Sequence, residues 1–205
     1  MPRLLLSIAF AVAAMGLSPG VAAAQSAQPG QAVAIFAGGC FWCTEADFDK
    51  VAGVLSTTSG YIGGKNANPT YEQVSTGRTG HAEAVWIVYD PGKVTYEKLL
   101  THYWRTVDPT VKDRQFCDVG DQYRTAIFVG NDAERKLAEA SKQKAEAELK
   151  QPIHTQIAAA GPFYKAEEYH QDFYQKNPTK YNFYRWNCRR DQRLEQLWGK
   201  PKGDS

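Results

Sequence analysis

Apolar residues recur along this chain in two rhythms, and the places where one gives way to the other outline its elements. Residues 33–37, "VAIFA", are an apolar run of strand length, and residues 83–90, "EAVWIVYD", are apolar on both faces and closed by Pro91 and Gly92, the pattern of a central strand. The rhythm then changes. Tyr96, Leu99, Leu100, Tyr103, Trp104 and Val107 recur at spacings of three and four, one stripe of a helix that must stop before Pro109. Residues 54–61, 123–129 and 152–158 read as further strands, with a helix from about Thr44 to Ala52 (Phe48, Val51 and Ala52 inward) and a charged surface helix over 132–150. The order strand, helix, strand, strand, helix, strand predicts an α+β fold. Its expected form is a two-layer sandwich with a split βαβ (ferredoxin-like) mixed sheet. Residues 60–80 hold five glycines and a proline without periodicity, so a long functional loop is expected there. After a short helix around "AEEYHQDFY", residues 178–205 read as an irregular, aromatic and cationic tail holding Cys188.

The N-terminus adds a compartment to this picture. Residues 1–24 place one cation, Arg3, before an apolar run that ends in the small residues Val21–Ala24, the pattern of a secretory signal peptide. A cut near Ala27 fits as well. The apolar core is shorter than the ~20 residues that span a bilayer, which favours a cleaved signal over an anchor. The expected organisation is therefore a signal peptide (1–24), a leader (25–31) and a single domain over 32–205 that includes the tail, in an exported, periplasmic, monomeric protein with no membrane contact after signal removal. Removing 24 of 205 residues leaves 181, enough for one well-packed core. It also removes one charge, Arg3, so the net charge of +2 falls to +1. No basic excess remains to suggest a nucleic-acid partner.

Four cysteines, at 40, 43, 117 and 188, raise the question of chemistry. In an exported chain they could be two structural disulfides, yet a chain of this length with 43% hydrophobic residues does not need staples to hold its core. A zinc site usually takes two short cysteine pairs, and only one is present. That pair lies in "FAGGCFWCTEADF", where a strand passes through Gly38 and Gly39 into a helix. A thiol at a helix start sits beside unsatisfied N–H groups and the positive end of the helix dipole, so Cys40 is expected as a nucleophile with a lowered pKa and Cys43 lies a turn on. C-x-x-C at such a junction first suggests a thioredoxin-like thiol–disulfide oxidoreductase. Phe41 and Trp42 read either as an apolar wall beside the nucleophile or as core anchors. Glu83 reads either as a solvated strand end or, since alternation puts it on the face of Val85 and Ile87, as a carboxyl whose pKa is raised by apolar surroundings. His81 beside Glu83 lacks metal-ligand spacing, and His102, His154 and His170 read as packing or helix-surface residues.

"GGCFWCTEADF", "SGYIGG", "NPTYEQVSTGRTGHAEAVWIVYDP", "CDVGDQYRTAIF" and "AGPFYKAEEYHQDFY", in that order over about residues 33–177, resemble the A-type peptide methionine sulfoxide reductases. The resemblance implies reduction of the S epimer of methionine sulfoxide, in damaged proteins and as the free amino acid. Cys40 would attack the sulfoxide sulfur and Glu83 would protonate the departing oxygen. Tyr71 and Tyr123 would hold that oxygen, Phe41 and Trp42 would cradle the S-methyl group, and Asp118 would support the site. No cofactor or metal is implied: Cys40 would become a sulfenic acid, a second cysteine would condense with it, and an external dithiol such as a thioredoxin-like protein would reduce the disulfide. Cys43 stands where the family often has glycine and Cys117 where it often has asparagine, so the resolving partner is open among Cys188, Cys43 and Cys117. Cys188 is favoured here, as part of a mobile tail. Cys43 can reach Cys40 only if Cys40 is a helix cap, because Cβ atoms at i and i+3 on a regular helix are ~5 to 6 Å apart.

Overall fold

In β1 (Ala32–Gly38), Ala34 and Phe36 point to one side and Ile35 and Ala37 to the other, and both sides are buried. Such a strand needs neighbours on both edges, and it has them. It pairs antiparallel with β3 (Ala82–Tyr89) and with β6 (Thr125–Val129), so that Phe36 lies opposite Val85 on one side and Ile127 on the other. The computed structural model describes residues 28–200; the predicted signal peptide and its cleavage sites lie outside the described residues. Beyond β3 come β2 (Val54–Ile62) and β8 (Phe163–Lys165), both antiparallel, and beyond β6 comes β7 (Gln156–Ala159), parallel. The result is a mixed six-stranded sheet in the order β7-β6-β1-β3-β2-β8, and the α+β class expected from the sequence holds.

The larger core lies on the face reached by Phe36, Val85, Ile87 and Ile127. Helices supply the rest of it: Phe48 from α1 (Phe41–Phe48), Leu99, Leu100, Tyr103 and Trp104 from α3 (Tyr96–Arg105), and Ala138 and Ala145 from α4 (Asp132–Leu149). The stripe seen in the sequence is thus the buried face of α3, with Val107 buried just past its end. The opposite sheet face carries a smaller cluster, where Ile35, Ile62, Ala84 and Phe128 pack with Phe163 and Trp86.

Four expectations are corrected. The first helix begins at Phe41 and ends at Phe48, earlier than Thr44–Ala52, leaving Ala52 exposed on the turn into β2. Within the glycine-rich stretch lies α2 (Tyr71–Ser75), started by a capping box in which Thr70 and Gln73 satisfy each other's backbone N–H groups. The helix expected around "AEEYHQDFY" is a 3₁₀ turn, Glu168–His170, followed by the single-turn α5 (Phe173–Lys176). The tail is not irregular: α6 (Pro178–Asn187) and α7 (Arg190–Trp198) fill most of it, with Pro178 in the first turn of α6. Their anchors are polar, which is why no apolar stripe announces them. Arg190 is buried and donates to the carbonyls of Gly38 and Thr106 at 3.3 and 2.7 Å, and Arg185 pairs with Asp47 at 2.9 Å.

Candidate active site

Gly39 turns the chain out of β1 with φ +84°, a left-handed conformation that glycine adopts without penalty. A Cβ there would come within 2.5 Å of the Gln115 Cβ. The turn sets Cys40 at the N-cap of α1, where its carbonyl accepts from the N–H groups of Cys43 and Thr44 at 3.1 and 3.3 Å while its thiol makes no capping bond. The thiol is left free, and Cys43 follows in the first turn of α1, near enough for each thiol to act on the other's pKa. Both are buried reduced thiols.

Glu83, near the start of β3, is 3% exposed, and its Oε2 accepts the N–H of Phe41 at 3.0 Å. Burial pushes its pKa up to about 8; the Phe41 bond opposes this, and the charges of Asp118 and Cys43 add to it. A neutral carboxyl is the result at pH 7. Cys40 corrects an expectation. Burial, then the Cys43 thiol and the nearby carboxyls of Glu83 and Asp118, push its pKa well above the ordinary cysteine value, where the sequence predicted a lowered one. Desolvation outweighs the helix end. Cys43 moves the other way, lowered first by its bond to Cys40 and then by Arg190 and Arg185 against the opposing effect of burial.

The other expected residues converge on the same place. Tyr71, the first residue of α2, donates its N–H to Glu167 Oε1 at 2.8 Å, while Tyr61 donates to the other oxygen of that carboxylate at 2.9 Å. Tyr123 ends a 3₁₀ turn (Asp121–Tyr123) just before β6. Burial raises both phenols, and the charges of Glu83 and Cys40 act on each of them. Asp118 opens β5 (Asp118–Val119), which pairs with β4 (Arg114–Gln115) in a small hairpin. It accepts a hydrogen bond from the Tyr184 hydroxyl, and burial raises its pKa against that bond and the Arg190 charge.

The two aromatics after Cys40 are packed differently. Phe41 is 1% exposed and joins the main core, with its ring 5.8 Å from Tyr61 and 4.9 Å from His170. Trp42 is only half-buried. Its indole stacks on Phe173 at 3.6 Å, meets Tyr184 edge-on at 5.9 Å and donates its N–H to His170 Nδ1 at 3.0 Å. His170, read from the sequence as a packing or helix-surface residue, is buried against Trp42, and with Tyr184 and Arg190, which the sequence did not place there, it belongs to the site's surroundings. His81 is a structural residue, its Nδ1 accepting from Gly64 N–H at 3.1 Å. Cys117 and Cys188 are joined by a disulfide, with Cα atoms 4.9 Å apart. Cys188 is buried at the end of α6, so it does not sit in a mobile tail. Among the described residues no group of three or more His, Cys, Asp or Glu is arranged to hold a metal ion.

A free thiol on a helix cap, a buried neutral carboxyl beside it and a second thiol within bonding reach are the parts of a thiol-based reductase site. The model of the peptide methionine sulfoxide reductase family matches residues 32–202. The chain belongs to that family. It is 53% identical over 170 residues to peptide methionine sulfoxide reductase MsrA of Bacillus licheniformis (82% of this chain, 94% of the relative). It is 48% identical over 200 residues to peptide methionine sulfoxide reductase MsrA 2 of Caulobacter vibrioides (97% and 100%). Among solved structures, methionine sulfoxide reductase A of Corynebacterium diphtheriae is similar with a TM-score of 0.66 and 37% identity over 74% of this chain and 77% of that one.

Proposed function

We propose that this protein reduces methionine S-sulfoxide, in oxidised proteins and as the free amino acid, to methionine. The observation that carries the reading is the pairing of Cys40 with Glu83, a nucleophile and a carboxyl that burial keeps protonated near neutrality. Sulfoxide oxygen leaves poorly unless it receives a proton, so the attacking sulfur needs an acid beside it. Both groups hold their protons at pH 7. When Cys40 attacks the sulfoxide sulfur, Glu83 gives its proton to the oxygen and takes up the one the thiol releases, while the hydroxyls of Tyr71 and Tyr123 hold that oxygen. Trp42, backed by Phe173, packs on the S-methyl group, and Asp118 orients Tyr184 at the rim. Collapse of the adduct transfers the oxygen: the substrate leaves as methionine and Cys40 becomes a sulfenic acid.

Cys43 then resolves it. The geometric condition for its reach is met, because Cys40 is the cap residue of α1 and not a residue within it. Arg190 and Arg185 favour loss of its proton, and its sulfur displaces the hydroxyl group from the Cys40 sulfur, which leaves as water with that proton to give a Cys40–Cys43 disulfide. An external dithiol, a thioredoxin-like protein in the cell, takes up that disulfide and returns both thiols. The reaction runs on thiols and one carboxylic acid, with no prosthetic group. Export to the periplasm fits residues 1–24, and the strand order β6-β1-β3-β2 supports a split βαβ, ferredoxin-like centre for the sheet.

The test is methionine release from each epimer of a dabsylated methionine sulfoxide with dithiothreitol as reductant. Release from the S epimer alone is expected. A protein that reduces insulin disulfides but neither sulfoxide is a thiol–disulfide oxidoreductase, and the proposal fails.

A further inference from the structure

Three consecutive residues of the β4–β5 hairpin are each gripped by the C-terminal helices. The Phe116 ring lies under the Arg190 guanidinium at 4.4 Å, Cys117 is bonded to Cys188, and Asp118 accepts from Tyr184. Phe116 has φ +51°, a left-handed conformation that a bulky side chain rarely adopts without outside restraint. The restraint comes from the segment 184–190. Tyr184 and Cys188 lie one turn apart on the same side of α6, and Arg190 is held in turn by the carbonyl of Gly38, two residues before Cys40. The hairpin that carries Asp118 is thus fixed to the cysteine loop through the C-terminal helices.

We infer that the Cys117–Cys188 disulfide is a positioning lock, which holds Asp118 and Tyr184 in register over Cys40 and Trp42 and takes no part in the catalytic thiol cycle. The inference rests on the reductase reading for its kinetic consequence, and it reassigns two of the cysteines expected as recycling partners. Two features carry it. Cys40 and Cys43 are both free, at the cap and in the first turn of α1, and the other two sulfurs are bonded to each other at the ends of a span of 71 residues. Cys117 is solvent-exposed, so a reductant can open the lock from outside without entering the site. The site is then conditional on redox state: with the bridge open, the Asp118–Tyr184 bond loses its tether and substrate is held less well.

The mature protein and a Cys117→Ser/Cys188→Ser variant are compared in single turnovers with free methionine sulfoxide. The lock predicts that the half-saturating substrate concentration rises about tenfold in the variant while the limiting rate stays within about threefold, the pattern of a displaced positioning contact. It also predicts faster alkylation of Cys40 by iodoacetamide in the variant, a readout that does not depend on any reductase activity. If neither protein releases methionine, the reductase reading fails while the alkylation rates still score the lock. In a second arm, wild-type protein with all four thiols reduced receives one equivalent of substrate, and its bridges are mapped by peptide mass spectrometry. A Cys40–Cys43 bridge is expected. A Cys117–Cys188 bridge formed while Cys40 and Cys43 return to thiols makes the outer pair an electron relay and overturns the inference, as does an unchanged half-saturating concentration. Should the variant not fold, the mapping arm decides alone.

Discussion

Replacing Glu83 by glutamine should make the protein slower and more stable at once, and the pH at which each effect appears is set by the structure. Glutamine keeps an acceptor for the Phe41 N–H and fills nearly the same volume, so the variant should fold. In the wild type, burial raises the carboxyl from its ordinary 4.5 to about 8. Between those values the unfolded chain has lost the proton while the folded protein keeps it, so the folded state binds more protons and stability falls as pH rises. Each pH unit in that window is worth about 1.4 kcal/mol, so neutralising Glu83 should stabilise the fold by up to about 3 kcal/mol at pH 7. For a chain of this size that corresponds to about 6–12 °C in Tm. Below pH 4.5 both proteins carry a neutral group and the difference should vanish. Thermal melts of the two proteins from pH 4 to 9, taken as a difference, measure this. The reductase step should meanwhile fall roughly 10²-fold or more, the scale of a lost general acid. A Tm difference that is flat across the window would refute the buried, protonated carboxyl, and near-normal single turnovers at pH 7 would remove Glu83 from proton delivery.

Trp42→Ala should raise KM for sulfoxide substrates while Cys40 still reacts with small alkylating agents; if only thermal stability falls, Trp42 is a packing residue. Cys43→Ser should complete one turnover and stop, leaving a Cys40 sulfenic acid that dimedone traps; a variant that still loses two thiols per turnover, with Cys40 bridged to another cysteine at the wild-type rate, places the resolving thiol elsewhere. Gly39→Ala must force a left-handed backbone and push into Gln115, which is fully buried and bonded to Asp108, so a loss of about 3 kcal/mol or more is expected in denaturant melts. A loss under about 1 kcal/mol contradicts the tight turn.

The elements read best from the sequence are those whose burial is apolar and local. Tyr96 to Val107 announced α3, and "EAVWIVYD" announced β3 with Glu83 on the face of Val85 and Ile87, where the structure has it. The elements misread or missed are held by distant polar partners. β8 is three residues long and exists because it pairs with Gly60–Ile62 of β2; α6 and α7 stand on Tyr184–Asp118, Arg185–Asp47 and the buried Arg190. The family motifs named the residues that the fold gathers around Cys40. They could not name His170 under Trp42, nor the direction of the Cys40 pKa, because both depend on packing across elements far apart in sequence. The cysteine pairing was equally out of reach, since four cysteines allow three pairings and only the fold brings Cys117 to Cys188.

The most direct measurement is a rapid-quench single turnover, mixing reduced protein with one equivalent of methionine S-sulfoxide and counting methionine and thiols on the same time course. Wild type should yield one methionine and lose two thiols per molecule, and Cys40→Ser should yield none. Methionine formed by Cys40→Ser, or formed by the wild type without loss of thiols, would contradict oxygen transfer to Cys40.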